Sequence, residues 1–522
     1  MLSGEAAPWW RTAVFYHIYP ASFMDANGDG FGDLAGIASR LDHLAGGPSS
    51  LGVDALWLSP FYRSPMADFG YDIADYRDVD PRFGTLADFD ALLRQAHARR
   101  LRVIVDFVPN HTSDQHPWFQ EARSSRTNPR RDWYVWADPG PDGGPPNNWL
   151  SAFPRSGAAW TRDPLTGQYY LHSYTPQQPD LNWREPAVVD AMRGVLRFWL
   201  DRGVDGFRVD APHRLMKDPE LRDNPPEVAH LRLDEHLLET ARHRNIDHPD
   251  VHGVVRALRE TVEAYPGRVL LGEIGIRNPQ RWARYHGTSA HDGMQLAFNF
   301  AFWGCPWSAQ AFREVVERTE RIVPPWAWPT YAFSNHDISR AATRYGERNM
   351  RLAAMMLLTL RGTPFLYYGE EIGMRDVPVP PSRAHDPDGR DPCRTPMQWD
   401  AGPAAGFTAG EPWLPVGRTG QNVAAERADP ASLLNLYRAL LRLRGECRPL
   451  REGSYRGLEA GDAVFAFERR TGEDRVFVVL NFGDEAIRAE DVMPGAVAPL
   501  LSTRHPMPQA GPIGPGEGVI LR

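Results

Sequence analysis

The sequence predicts an α/β fold: a (β/α)8, or TIM, barrel with a subdomain inserted after its third strand and an antiparallel β domain at the C-terminal end. Three observations carry this expectation. Eight short apolar runs recur along the chain, amphipathic segments separate them, and from about residue 452 the pattern changes to short apolar bursts between Gly and Asp. Strands buried on both faces read as continuous apolar runs, and eight of them with helical crossovers suit a closed barrel better than an open sheet.

The strands are read at 14–19, 55–58, 103–106, 207–210, 269–273, 295–298, 330–334 and 364–368. All are too short for helices and are bounded by turn residues. The clearest crossover is a helix over 86–99, opened by Thr85 as N-cap, with Leu86, Phe89, Leu93 and Ala96 at helical spacing. Two crossovers are too long for a helix alone. Residues 111–175 are rich in Pro, Gly, Asn, Trp and Tyr and read as a small domain over the barrel mouth; residues 375–430 are Pro/Gly-rich and irregular. Long irregular loops are usually functional. The charged, His-rich stretch 220–250 is expected to add exposed helices with surface histidines. AVFAFERR, RVFVVLNF and GVILR mark the C-terminal sheet. The expected domains are thus a barrel over 1–110 and 176–451, an insert over 111–175 and a β domain over 452–522.

The 522 residues exceed one simple core. A net charge of −8 gives no electrostatic reason to expect nucleic acid or an acidic membrane as partner. Of 58 lysines and arginines only Lys217 is lysine, which reads as codon bias or as arginine-rich surface pairing. Cys305, Cys393 and Cys447 are few, scattered and odd in number, so they read as structural thiols in a reducing compartment. MLSGEAAPWWRTAVFYHIYP has no basic segment followed by an apolar core, and no run of about 18 apolar residues exists. A cytoplasmic enzyme, monomer or homodimer, without a membrane span, is expected.

The chemistry is read from acids at strand ends. GFRVDAPHR (206–214) delivers Arg208 and Asp210 to one face of a strand, where a guanidinium keeps a carboxylate ionised as a nucleophile requires. VLLGEI ends at Glu273 among apolar residues and glycines, a poorly hydrated place that favours a proton-donating carboxyl. YAFSNHD ends at His336 and Asp337. Three acids at the tips of three strands suit sugar chemistry, in which one carboxylate attacks and another carries a proton. DFVPNH (106–111) adds His111 as a donor to a sugar hydroxyl, and Asp106 to orient neighbours. DFGYD (68–72) adds Asp68 and Tyr71, and GRDPCRTPMQW adds Arg390 and Arg394.

DANGDGFGD (25–33) is a separate signal. Asp25, Asn27, Asp29 and Asp33, with Phe31 in the same alternate spacing, resemble a calcium-loop ligand run without its closing Glu. One structural Ca²⁺ or Mg²⁺ is expected, against a metal-free Asx-turn loop. No His/Cys set suggests catalytic zinc, and no phosphate loop follows a strand, so no organic cofactor is expected.

Together these motifs resemble glycoside hydrolase family 13, the α-amylase family, and within it the α-glucosidase and oligo-1,6-glucosidase branch. The resemblance runs over essentially the whole chain through GVDALWLSP (52–60), DFVPNH, QPDLNW (178–183), GFRVDAPHR, GEIGI (272–276), FSNHD (333–337) and GTPFLYYGEEIGM (362–374). It implies Asp210 as nucleophile, Glu273 as general acid/base and Asp337 as transition-state stabiliser. It implies a pocket for the non-reducing glucose lined by Asp68, Tyr71, His111, Arg208, His336 and Arg390. Gln178 opens QPDLN, typical of the oligosaccharide-cleaving branch, and the loop 25–33 matches that branch's single metal site. In that branch a valine after the nucleophile accompanies α-1,6 activity. Here it is Ala211, followed by Pro212, so α-1,4 linkages are expected. The expected partner is a small oligosaccharide or glucoside. The rivals are an oligo-1,6-glucosidase, a transglucosylase, sucrose isomerase or trehalose synthase on the same scaffold, and a non-catalytic binding protein.

Overall fold

In the computed structural model, which describes residues 7–230, 243–386, 388–493, 498–504 and 511–522, the eight apolar runs are parallel strands of one sheet. They are β1 (Phe15–Ile18), β2 (Ala55–Leu58), β3 (Arg102–Phe107), β4 (Gly206–Val209), β5 (Val269–Gly272), β6 (Leu296–Ala297), β7 (Thr330–Ala332) and β8 (Thr363–Tyr367). Their order is β6-β5-β4-β3-β2-β1-β8-β7, so chain neighbours pair and β1 meets β8. No strand ladder joins β6 to β7 among the described residues. There the Thr330 hydroxyl donates to the Ala297 carbonyl and carries the ring across the gap.

The strands stop short of six expected ends, at Ile18, Val209, Gly272, Ala297, Ala332 and Tyr367. Asp210 and Glu273 still donate their backbone N–H groups to Phe107 and Val209 of the neighbouring strand, at 2.8 and 3.0 Å. Their backbones are therefore fixed by the sheet while their side chains stand beyond it.

Alternate residues of each strand point inward and stack in layers. The lower layer is apolar: Phe15, Ala55, Ile104, Val269 and Phe365 are buried, with the Phe15 and Phe365 rings 4.6 Å apart. Two residues further along their strands the layer becomes His17, Trp57, Asp106 and Arg208, all buried. The polar layer thus rests on a dry plug, where charges interact strongly.

The helix α1 (Leu86–Ala98) lies where the spacing places it and buries Phe89, Leu92, Leu93 and Ala96. Thr85 and Asp88 form a reciprocal cap, with the Thr85 N–H donating to Asp88 at 2.8 Å. The insert holds a three-stranded antiparallel sheet of Trp136–Ala137, Trp160–Arg162 and Tyr169–Leu171. Isolated bridges His111–Asp180 and Tyr134–Leu181 tie its return segment to the end of β3. The C-terminal region forms an antiparallel sheet of β9 (Ser454–Leu458), β10 (Val464–Thr471), β11 (Asp474–Asn481), β12 (Pro499–Ser502) and β13 (Gly518–Leu521), in the order β9-β10-β11-β13-β12. The helices expected over 220–250 fall partly on 231–242, outside the described residues; the described flanks carry turns and bends and no helix. The three cysteines are free and buried. Among the described residues no helix is long and apolar enough to cross a membrane.

Behind β8 a short turn buries Glu370 and Glu371 side by side. Glu371 accepts from the Tyr16 hydroxyl at 2.8 Å and lies 2.9 Å from His43 Nε2, whereas the Glu370 side chain has, among the described residues, only the Tyr437 hydroxyl, at 3.3 Å. Burial, and the neighbouring Glu371, push the Glu370 carboxyl from 4.5 up to about 8. A raised carboxyl contributes stability that is complete below pH 4.5 and lost as pH rises through about 8. Glu370→Gln, which does not titrate, is expected to lose less stability over that window, on the order of a few kcal/mol less. Thermal unfolding of both proteins from pH 5 to pH 9 checks this; parallel curves would refute it.

Candidate active site

A cavity of about 520 Å³ opens at the C-terminal ends of the strands. Asp68, Tyr71, His111, Asp210, Glu273, His336, Asp337 and Arg390 all line it. The sequence places these eight residues far apart, and the barrel brings them to one wall-to-wall site.

Arg208 is the hub beneath them. It is 1% exposed, yet its Nη1 donates to Asp106 at 2.6 Å and Asp210 at 2.7 Å, and its Nη2 lies 2.7 Å from Glu273. The guanidinium stands 5.2 Å from the Trp57 ring, on which His17 stacks at 3.5 Å. One cation thus faces three carboxylates, and it cannot keep all three ionised in so dry a place. Burial raises the Glu273 carboxyl well above the ordinary range; Arg208 opposes this, and Asp210 and Asp337 add to it. Burial likewise pushes Asp106 up to about 7 against the pull of Arg208. Trp57 Nε1 donates to Asp106 at 2.9 Å, so Asp106 is occupied with its neighbours, in line with an orienting role.

Asp337 has the opposite surroundings. Burial opposes its ionisation, but the guanidiniums of Arg390 and Arg394 beside it hold its carboxyl below the usual range. Arg390 Nη1 donates to it at 2.9 Å and Arg394 Nη2 at 3.1 Å. The other arm of Arg390 reaches Asp68 at 2.5 Å, and its Nε reaches Asp386 at 3.0 Å. Arg390 therefore straps Asp68 to Asp337 on the cavity wall. His336 stacks parallel on Tyr71 at 5.2 Å, and burial holds its imidazole well below the ordinary pKa. It meets Asp337 at 3.2 Å as a neutral ring.

Three residues expected to line the pocket lie behind it. Gln178, Arg208 and Arg394 are each at most 1% exposed and are not among the lining residues. Gln178 donates to Asp68 at 2.9 Å, and Arg394 Nε donates to the His336 carbonyl at 2.7 Å. They bear on the cavity through the side chains that line it. Ala211 is also buried outside the lining, in the left-handed conformation (φ 39°, ψ 47°). Its N–H donates to Glu273 at 3.3 Å. A side chain at 211 therefore bears on the pocket through Glu273 and not by direct contact.

The cavity also uses residues that motif reading does not single out: Phe153 and Tyr174 from the insert, Arg277, Phe300, Trp303 and Asp388. The aromatic richness of the insert was the available signal for the first two. Phe300 and Trp303 come from a short helix after β6, and Arg277 and Asp388 from loops, all placed by tertiary contacts.

The loop 25–33 winds around Asp25. That carboxylate accepts from the N–H groups of Asn27, Gly28 and Gly30 at 2.8–2.9 Å and from the Thr408 hydroxyl at 2.5 Å. Asn27 accepts from Asp29 N–H, Asp29 from Phe31 N–H, and Asp33 from Ala26 and Gly36. Gly30 (φ +91°) packs so closely on Glu411 that a Cβ would stand 1.8 Å from its carbonyl oxygen. Among the described residues no group of three or more His, Cys, Asp or Glu side chains converges as a metal site. The oxygens are of the hard type that suits Ca²⁺ or Mg²⁺, and in this arrangement they serve backbone donors.

Comparison with known proteins matches the geometry. The model of the α-amylase catalytic domain matches residues 17–453. A probable α-glucosidase of Rhizobium meliloti is 43% identical over 92% of this chain and 91% of its own. An oligo-1,6-glucosidase of Parageobacillus thermoglucosidasius is 37% identical over 91% of each. The crystal structure of an α-glucosyl transfer enzyme, XgtA, superposes with a TM-score of 0.88 at 40% identity, covering 99% of both chains. With a barrel of this order, acids at its strand ends and relatives at these identities over nine tenths of its length, the chain belongs to the α-amylase family, glycoside hydrolase family 13, on its α-glucosidase and oligo-1,6-glucosidase branch.

Proposed function

We propose that the chain is a retaining exo-α-glucosidase that releases glucose from the non-reducing end of short α-glucosides, with α-1,4 linkages favoured and transglucosylation as a side reaction. The observation that carries this is the Arg208 hub, which holds Asp210 and Glu273 on one cation while burial raises the Glu273 carboxyl well above the ordinary range. Glu273 donates its proton to the glycosidic oxygen as Asp210 attacks C1, the aglycone leaves, and a glucosyl ester forms on Asp210. Glu273, now a carboxylate, takes a proton from water or an acceptor sugar, whose oxygen displaces Asp210. Asp337, kept ionised by its arginines, faces the developing positive charge on the ring.

A glucose-release panel of maltose, isomaltose, kojibiose, nigerose, trehalose and sucrose, with all products resolved, tests the reading. Maltose in front and α-glucose as the first anomer are expected. Isomerised or elongated products with little free glucose would move the protein to the transferase reading, which the likeness to an α-glucosyl transfer enzyme supports. Dominant isomaltose cleavage would favour the oligo-1,6-glucosidase reading, which the likeness to an oligo-1,6-glucosidase supports. Ala211→Val is expected to shift the maltose-to-isomaltose ratio toward isomaltose by about tenfold, the scale of a small shape change in a pocket. A β-branched residue strains the left-handed backbone there and moves Glu273. An unchanged ratio would remove position 211 as a specificity determinant.

The loop 25–33 is assigned one Ca²⁺ or Mg²⁺ on Asp25, Asn27, Asp29, Phe31 and Asp33, on its alternating oxygen spacing. Chelation should lower the thermal midpoint, and added Ca²⁺ should restore it. Identical midpoints with and without chelator would leave the Asx-turn loop as the whole account.

A further inference from the structure

Arginine serves nearly every basic position of this chain, and Lys217 is the exception. Lys217 lies in the loop after β4, seven positions beyond Asp210, and is 5% exposed. Its Nζ sits 2.8 Å from Asp180 Oδ2 and 2.9 Å from Asn110 Oδ1. Those partners belong to the return segment of the insert and to the end of β3, so one ammonium joins three stretches of chain. An ammonium is a compact point donor, whereas a guanidinium is a flat fork that needs more room and a planar partner.

The consequence lies in hydrogen positions. An ammonium carries only donors, so the atom of Asn110 that faces it is the oxygen. The Asn110 amide nitrogen then points the other way, 3.0 Å from Asp180 Oδ1 and 3.2 Å from His111 Nδ1. His111 Nδ1 is thereby an acceptor. Burial holds the His111 imidazole below its ordinary pKa, so the ring is neutral and its one hydrogen is on Nε2. Nε2 lies 3.1 Å from the Tyr71 carbonyl, an acceptor. Gln178 Nε2 carries two hydrogens, gives one to Asp68 at 2.9 Å and lies 3.0 Å from the same atom, so the Asn110 amide and the Tyr71 carbonyl, two contacts against this one, decide for Nε2–H. The opposite tautomer would set Nδ1–H against the Asn110 amide hydrogens and leave a lone pair facing the Tyr71 oxygen.

We infer that Lys217 is a positioning residue: by orienting Asn110 it fixes His111 as the Nε2–H tautomer, whose one hydrogen goes to the Tyr71 carbonyl and holds the imidazole in place on the wall of the pocket. This rests on the glucose-pocket reading of the cavity that His111 lines.

Two measurements test it. Neutron diffraction on the whole protein after deuterium exchange is expected to show deuterium on His111 Nε2 and none on Nδ1. Deuterium on Nδ1 overturns the inference whatever the enzyme hydrolyses. The second is a double-mutant cycle in kcat/KM on maltose. Lys217→Met is expected to cost about 10–100-fold, the usual scale for groups that orient a binding residue. In a His111→Ala background the same change should cost less than about twofold, because its target is gone. Lys217→Arg should not rescue. Additive losses, or a Lys217→Arg enzyme with normal kcat/KM, overturn it. Should Lys217→Met fail to fold, the neutron map decides alone. A wild type inert on all glucosides, with deuterium on Nε2, would sink the glucosidase reading and leave the tautomer assignment standing.

Discussion

Asp210→Ala is expected to abolish turnover, with kcat on maltose reduced by roughly 10⁵-fold or more, the scale of a positioned nucleophile's effective molarity. The loss should be chemical, not structural. Arg208 keeps Asp106 and Glu273 as partners, so the cation is not left unpaired. Removing one of three crowded carboxylates also relieves repulsion, and the thermal midpoint should hold or rise. Azide supplies a check on position. It can enter the space vacated by the carboxylate and attack C1 from that face, which gives a β-glucosyl azide once the aglycone has left. Near-normal activity, or rescue giving only the α-azide, would refute Asp210 as the nucleophile.

Glu273→Gln should produce the second large effect, and a different pattern. Loss of the proton donor is expected to cost about 10²–10⁴-fold on maltose, whose leaving sugar needs protonation. An aryl glucoside with a good leaving group needs little, so its first step should survive and the glucosyl-enzyme should accumulate. The pH profile carries the sign. Glu273 acts while protonated, and its pKa is raised by burial, so wild-type activity on maltose falls as pH rises through that raised value. Asp337, held below the ordinary range, stays ionised on the acid side. The variant should lose the alkaline fall on the aryl substrate. An alkaline limb identical to wild type would assign that limb to another group.

Much of this architecture was legible because a strand buried on both faces leaves a continuous apolar run. All eight barrel strands fall on such runs. The sixth was read as four residues and pairs over two, because Phe298 beyond it donates to the Gly272 carbonyl outside the regular ladder. The positions of Asp210, Glu273 and Asp337 beyond their strand ends were legible, and so was the helix over 86–98, which its cap announces. Depth was not. Gln178, Arg208 and Arg394 stand in the right motifs, but nothing in a linear sequence distinguishes a side chain that lines a cavity from one directly behind it. Arg277 and Asp388 reach the cavity from loops and Phe300 and Trp303 from a short helix, and their arrival depends on how those segments fold over the barrel.

The solitary, buried lysine has a consequence for the life of this protein among reducing sugars. Open-chain aldoses carry an aldehyde that condenses with unprotonated amines, and exposed lysines are the usual targets of such slow glycation. Here the only ε-amine is enclosed and engaged by Asp180 and Asn110. Apart from the chain's α-amino group, the surface offers sugar aldehydes no primary amine, and aldehyde fixatives and amine-directed tags should find it equally barren.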